Sequence, residues 1–261
     1  MRLKRIGMIY CIPILLLGVA QSHGDETSAY ERIAKGADFI RTMKPLPTGP
    51  QLDPHPSFVF NEGFKETLKE PSDQEFLAIF VDLNKKVFGS QVFSLREFGG
   101  AFFDYMSTDV MDQTIFVNPE FVKQVKGTLS AADSTAVLRF MLAHEMGHYI
   151  HESFALLSES KVGILGTKSF HNSVLDPPLV LQGVHGEIDA IGMYLLALAG
   201  FDDQIAFRIF DLVREVKWKA WQESDHGPGS WEAALEYAQP GEAERLKVMR
   251  RYSLSKEAHG K

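Results

Sequence analysis

Hydrophobic residues recur at helical spacing along much of the chain. Apolar side chains three or four positions apart predict a helix over 73–87, which Ser72 or Asp73 can cap. A second helix is predicted over 131–150, because the Ser130–Asp133 pattern at its start is typical of a capping box. Further helices are predicted at 186–199, from Asp202 or Asp203 through Trp221, at 231–237 and at 242–252, with a frayed tail from Ser253 onwards.

Short stretches rich in β-branched and aromatic residues predict a few strands. These lie at 92–95, 101–105 and 114–118, and a helical turn at 120–126 follows the last of them. Residues 158–183 contain several glycines and an adjacent pair of prolines, which indicates a mobile loop. The predicted fold class is therefore α+β and mainly helical, with a small sheet packed on the helix at 131–150.

The first 56 residues differ in pattern from the rest of the chain. Residues 1–20 combine a basic start, an apolar run and a small-x-small end at Gly18–Ala20, which is typical of a cleaved signal peptide. The apolar run is short for a membrane span, although an uncleaved anchor is the alternative. Residues 21–56 are rich in proline and predict an extension or linker, which leaves 57–261 as the compact domain. We expect an exported protein, periplasmic or secreted, with no stable membrane insertion after signal cleavage.

Composition narrows the possible function classes. The chain of 261 residues is 45% hydrophobic and 23% charged, which is ordinary for a globular protein. Its net charge of −7 argues against nucleic-acid binding, since phosphate recognition needs a basic surface. The one cysteine, Cys11, lies within the predicted signal, so we expect neither disulfides nor thiol chemistry in the mature protein. The oligomeric state is left open.

The segment His144-Glu145-Met146-Gly147-His148 lies within the helix predicted at 131–150. Residues four apart share one face of a helix, so both histidines can reach a single metal ion, and imidazole is a good ligand for zinc. Glu145 lies one residue round the helix, where it can take a proton from a water molecule that the metal activates. A third ligand must come from elsewhere in the chain.

Candidates for this third ligand follow the motif, and they are His151, His171, His185, Glu187, Asp189 and His226. His151 would lie about 10 Å along the helix axis from His144, too far for one ion, and is interpreted as a surface histidine or one that supports a ligand. His185 has Asp189 four positions later, and a carboxylate commonly orients a ligating histidine. Glu187 would point about 200° away from His185 on the same helix, which is typical of a solvated face. His185 is therefore the favoured ligand, and Glu187 is the alternative.

The stretch from His185 to Asp202 resembles the second motif of the HtpX-like and CAAX-prenyl-protease-like zinc endopeptidases. That motif reads Glu-x-x-Ala-Asp-x-x-Gly and is followed by a Leu-rich helix and Ala-Gly-Tyr-Asp. The matching positions are Asp189, Gly192 and 199–202, and the segments at 101–102 and 114–118 resemble the region before the family's zinc helix. The resemblance implies a zincin-like metallopeptidase domain of the gluzincin type, with one zinc ion per chain and a protein or peptide substrate.

Two positions depart from the family's pattern. The family's third ligand is a glutamate, and His185 stands in that place, which keeps zinc-binding chemistry but removes one negative charge. The family also has His-Pro followed by an arginine near the C-terminus. This chain has Gln239-Pro240 followed by Arg245, so one group near the expected substrate is altered.

The resemblance and the motif together predict zinc-dependent hydrolysis of peptide bonds, with Glu145 as general base. The donor to the developing oxyanion is left open among Gln239, Arg245, His226 and the tyrosines. The strand predicted at 114–118 either offers an edge to an extended peptide substrate or is an ordinary core strand. The alternative function is a catalytically inactive zinc-binding or interaction protein on the same fold.

Overall fold

The computed structural model describes residues 68–98, 105–109, 113–157, 178–223 and 241–259. Several sequence-based expectations lie outside these residues: the signal peptide at 1–20, the linker at 21–56, most of the strand at 101–105, the loop before Pro178 and the helix at 231–237. Within the described ranges, no helix is both long enough and apolar enough to cross a bilayer.

Helices dominate the described part of the chain. In order, the elements are β1 (Leu68–Lys69), α1 (Gln74–Phe88), β2 (Ser94–Phe98), β3 (Met106–Asp109), β4 (Thr114–Val117), α2 (Pro119–Thr128), α3 (Ala131–Leu157), α4 (Pro178–Leu198), a 3-10 helix (Gln204–Phe207), α5 (Ile209–Glu223) and α6 (Glu242–His259). The prediction of a mainly helical α+β fold with a small sheet is confirmed.

The four described strands form one mixed sheet in the order β1-β2-β4-β3. Strand β4 lies in its interior, because Ile115 pairs with Leu95 of β2 in parallel and with Thr108 of β3 in antiparallel register. Its backbone is thus engaged on both sides. The interpretation of residues 114–118 as an edge for a substrate peptide is therefore wrong, and the core-strand interpretation is correct.

A buried asparagine ties α1 to the start of β2. The side chain of Asn84 donates to the carbonyl of Phe80 at 3.1 Å and accepts from the backbone amides of Val92 at 3.1 Å and Phe93 at 3.0 Å. Each polar atom of this fully buried amide therefore has a partner, so its burial costs little. Helix α1 itself begins as predicted, with the Asp73 side chain accepting from the third residue of the helix at 2.9 Å.

Three helices extend further than the hydrophobic pattern predicts. Helix α3 continues beyond Ile150 to Leu157, and α4 begins at Pro178, inside the segment predicted to be a loop. Proline is favoured in the first turn of a helix, because the amide that it lacks would have no partner there. Helix α6 continues through the predicted frayed tail, since Tyr252 is fully buried and anchors its second half. The predicted turn at 120–126 is likewise a complete helix, α2.

Candidate metal site

Helices α3 and α4 pack closely at two glycines. A Cβ atom on Gly147 would lie 2.9 Å from the carbonyl oxygen of Ile188, and one on Gly192 would lie 3.3 Å from the amide nitrogen of His144. The partner numbers fall along α4 as they rise along α3, so the two helices run antiparallel. A side chain at Gly147 would force the backbones apart, and one at Gly192 would be in unusually tight contact, so both glycines favour the close approach that the sequence predicts for Gly192.

This close packing brings three histidines together. One nitrogen from each of His144, His148 and His185 lies within 4.8 Å of the others, and this is the one group of three or more potential metal ligands in the described part of the chain. His144 is buried, and His148 and His185 are half-buried. The group could therefore bind a metal ion.

The spacing of the rings fits a single ion. The ring centroids lie 4.9 Å apart for His144 and His148, 5.3 Å for His148 and His185, and 5.9 Å for His144 and His185. Nitrogens about 2.0–2.1 Å from a tetrahedral zinc ion would place the ring centroids roughly 5 Å apart. The three imidazoles thus need only small shifts to share one ion.

Burial lowers the pKa of two of the three histidines, His148 and His185. The pKa of His148 lies well below its ordinary value, because the surrounding protein replaces much of the solvent around the ring and the neighbouring histidines oppose a positive charge there. Burial and the Arg245 guanidinium lower the pKa of His185 to about 3. Near neutral pH, His148 and His185 therefore keep the lone pair that a metal ion requires.

Asp189 orients the ring of His144 by contacting the ring nitrogen Nδ1. Its Oδ1 lies 2.8 Å from Nδ1 of His144, while Arg245 donates from Nε to Oδ2 at 2.7 Å and from Nη2 to Oδ1 at 2.8 Å. Burial raises the pKa of Asp189, but Arg245 and His144 outweigh it and hold the pKa well below the usual range. An ionised carboxylate only accepts hydrogen bonds, so Nδ1 of His144 carries the proton and Nε2 is left for a metal.

Two sequence-based interpretations need correction here. The spacing argument linked Asp189 to His185, whereas the histidine that Asp189 contacts is His144. Arg245, considered as an oxyanion donor, has two of its nitrogens engaged by Asp189. His171, His226 and Gln239 lie outside the described residues.

Glu187 and His151 form a separate buried pair. Oε2 of Glu187 lies 3.0 Å from Nε2 of His151, and the two residues are 1% and 0% exposed. The interpretations of Glu187 as part of a solvated face and of His151 as a surface residue are therefore wrong. The reason is that α4 packs against α3 on one side and α6 on another, so that this part of α4 has no face in water. The carboxylate of Glu187 links α4 to α3 through His151 and is not part of the group of three histidines.

Glu145 is buried beside the histidines. Burial raises the pKa of its carboxyl, and the neighbouring His144 and a hydrogen bond from Thr108 only partly oppose this. The Thr108 hydroxyl donates toward Oε2 of Glu145 at 2.7 Å. Sequence reasoning missed Thr108, because it is 37 positions away and no motif marks it. A buried carboxylate with a raised pKa is chemically suited to accept a proton near neutral pH.

Comparisons of the chain with protein-family models, with curated proteins and with solved structures find no match.

Proposed function

We propose that this protein is a zinc-dependent endopeptidase. The observation that carries the proposal is the convergence of His144, His148 and His185 next to a buried glutamate. A three-histidine set favours zinc among the common divalent ions, and structural zinc sites usually have four protein ligands, whereas catalytic ones have three. The sequence resemblance to the gluzincin-type endopeptidases supports the same reaction.

The zinc ion would supply Lewis acidity to a water molecule and to the carbonyl of the scissile bond. Glu145 would take a proton from that water on its carboxylate and then pass it to the leaving amine. His144 would be held in one orientation by Asp189, and the buried surroundings of Glu145 would keep competing water out.

The strand β3 is suited to bind an extended substrate peptide. Among the described strands it has a neighbour on one side only, namely β4, and it lies against α3 through the contact of Thr108 with Glu145. An open strand edge can add a peptide strand by backbone hydrogen bonds, and such pairing would bring a substrate past the three histidines. We place the substrate on β3 in place of β4, which is enclosed by its neighbours.

The metal assignment is tested with the purified protein. We expect about one zinc per chain by metal analysis, and its loss in His185→Ala. Glu187→Gln is the matched control, because it changes a polar residue two positions away on the same helix and should keep the metal. A folded wild-type sample without any bound zinc would refute the proposal, and metal loss in Glu187→Gln alone would reassign the third ligand.

The reaction is tested by one further substitution. Glu145→Gln should keep zinc and lower cleavage of an unstructured protein substrate to a small residual rate, because the amide cannot accept the proton. If the zinc-loaded wild type cleaves no substrate in a broad panel, a catalytically inactive zinc-binding or interaction protein is the conclusion. We also propose that the protein is exported, on the basis of the N-terminal sequence pattern, and N-terminal sequencing of secreted material would test this.

A further inference from the structure

Thr108 makes the one hydrogen bond that holds the carboxylate of Glu145 within the described part of the chain. Its hydroxyl lies 2.7 Å from Oε2 of Glu145 and 2.9 Å from the backbone carbonyl of the same residue. A hydroxyl has one proton, so it donates to one of these oxygens at a time. In either case Thr108 is bonded to Glu145, and Oε1 accepts no hydrogen bond from any described residue.

The position of Thr108 is fixed by the sheet. Its strand pairs with β4, where Thr108 lies opposite the fully buried Ile115. Threonine is β-branched and has few accessible rotamers, so the backbone of β3 determines where the hydroxyl points. Glu145, by contrast, has three side-chain torsions, and without a partner its carboxylate could turn away from the histidines.

We propose that Thr108 is a positioning residue for Glu145, a role that rests on the proposed peptidase function. It holds Oε2 and leaves Oε1 to accept the proton of the attacking water. Because Thr108 belongs to the strand on which we place the substrate, the same strand orients both the peptide and the general base. Reacting groups must be held within about 0.5 Å of their productive positions, which is the reason that one hydrogen bond has a large effect.

Three variants test the role. Thr108→Val keeps the shape and removes the hydroxyl, and Thr108→Ser keeps the hydroxyl. The control, Thr135→Val, makes the same change on α3 ten positions before Glu145, where the hydroxyl donates to the backbone carbonyl of Ala131 at 2.9 Å. We expect kcat to fall by about 10–100-fold in Thr108→Val with KM and zinc content unchanged, since misplacement by about 1 Å costs up to that factor. Thr108→Ser should recover most of the loss, and Thr135→Val should resemble wild type.

A double-variant comparison separates positioning from general damage. In the background of Glu145→Gln there is no base to position, so adding Thr108→Val should lower the residual rate no further. An additional loss of the size seen in the single variant would overturn the proposal, and so would a Thr108→Val enzyme with wild-type kcat.

The side-chain conformation of Glu145 gives a second readout, which does not depend on enzymatic activity. Crystal structures of the zinc-loaded wild type and Thr108→Ser should show Glu145 in one side-chain conformer, and Thr108→Val should show it turned away or in several. An unchanged single conformer in Thr108→Val would overturn the role of Thr108. If wild type fails to cleave any substrate, the proposed function fails, whereas these structures still decide whether Thr108 positions Glu145. Should the valine variant not fold, Thr108→Ala replaces it in each measurement.

Discussion

Replacing Asp189 by asparagine should weaken metal binding and stability by two separate routes. The carboxylate is fully buried and contacts both Nδ1 of His144 and the guanidinium of Arg245. Asparagine retains an oxygen that can accept from His144, but it has no charge, and its amide group cannot accept from Arg245. The substitution therefore disturbs the orientation of a metal ligand and leaves a buried cation without its counter-ion.

The two effects have different expected sizes. Loss of a carboxylate behind a ligating histidine typically reduces metal affinity by about 10–100-fold, or about 1.4–2.8 kcal/mol. Removing one partner of a buried ion pair typically costs about 3–5 kcal/mol of unfolding free energy. This range applies here because the side chains of Asp189 and Arg245 are only 0% and 14% exposed. The loss in unfolding free energy of the metal-free protein should therefore exceed the loss in zinc-binding free energy.

A second substitution separates the two routes. Asp189→Asn combined with Arg245→Gln removes the unpaired charge, so it should recover most of the unfolding free energy while zinc affinity stays low. Zinc affinity is measured by competition with a chromophoric chelator, and stability by urea unfolding of the metal-free protein. Asp211→Asn is the control, because its carboxylate also binds an arginine, Arg214, but is 76% exposed.

Three outcomes would refute this reasoning. Wild-type zinc affinity in Asp189→Asn would mean that the carboxylate does not orient His144. Full recovery of affinity in the double variant would mean that the loss came from instability of the fold, and that the contact at 2.8 Å has no influence on the ligand. A loss in Asp211→Asn as large as that in Asp189→Asn would attribute the effect to net charge.

Two further predictions concern the packing of the helices and the pH dependence of stability. Gly147→Ala should lower the free energy of unfolding by about 1–3 kcal/mol, because the new Cβ would lie 2.9 Å from the Ile188 carbonyl oxygen. Gly192→Ala should cost less, because its nearest contact is 3.3 Å, and equal losses in urea unfolding would contradict this. Burial raises the pKa of the Asp73 carboxyl, but hydrogen bonds from Lys126 and a helix amide outweigh burial, so that the pKa is lowered. This stabilisation is complete above the unfolded pKa of about 3.9 and is lost as the pH falls through the folded value. Asp73→Asn should therefore lower the unfolding free energy by about 0.5–1 kcal/mol near neutral pH, and the difference from wild type should narrow in acid; a difference independent of pH would contradict it.

Local sequence patterns correctly predicted the features that depend on a single helix or strand. Helical spacing identified α1 and the helix containing the motif, and the four-residue separation placed His144 and His148 on one face. The strand β3 was missed, because its Met-Ser-Thr-Asp sequence has neither alternating hydrophobicity nor a β-branched run. Thr108 was missed with it, since a hydrogen bond across 37 positions depends on how the sheet packs against α3.

The misinterpretation of Glu187 has a specific physical cause. The rotation of about 100° per residue gives the direction of the Glu187 side chain relative to His185, but it does not show which element lies in that direction. Gly186 lies so close to α6 that a Cβ there would be 2.9 Å from the side chain of Val248, while Ile188 touches α3. A helix enclosed on both sides has no solvated face, so a charged residue within its apolar run indicates a buried partner. Glu187 lies within such a run, and its partner is His151, three positions beyond the second histidine of the motif on α3. The pair of Glu187 and His151 therefore joins α4 to α3 close to the three histidines. A charged residue in an otherwise apolar helix indicates an interhelical contact of this kind.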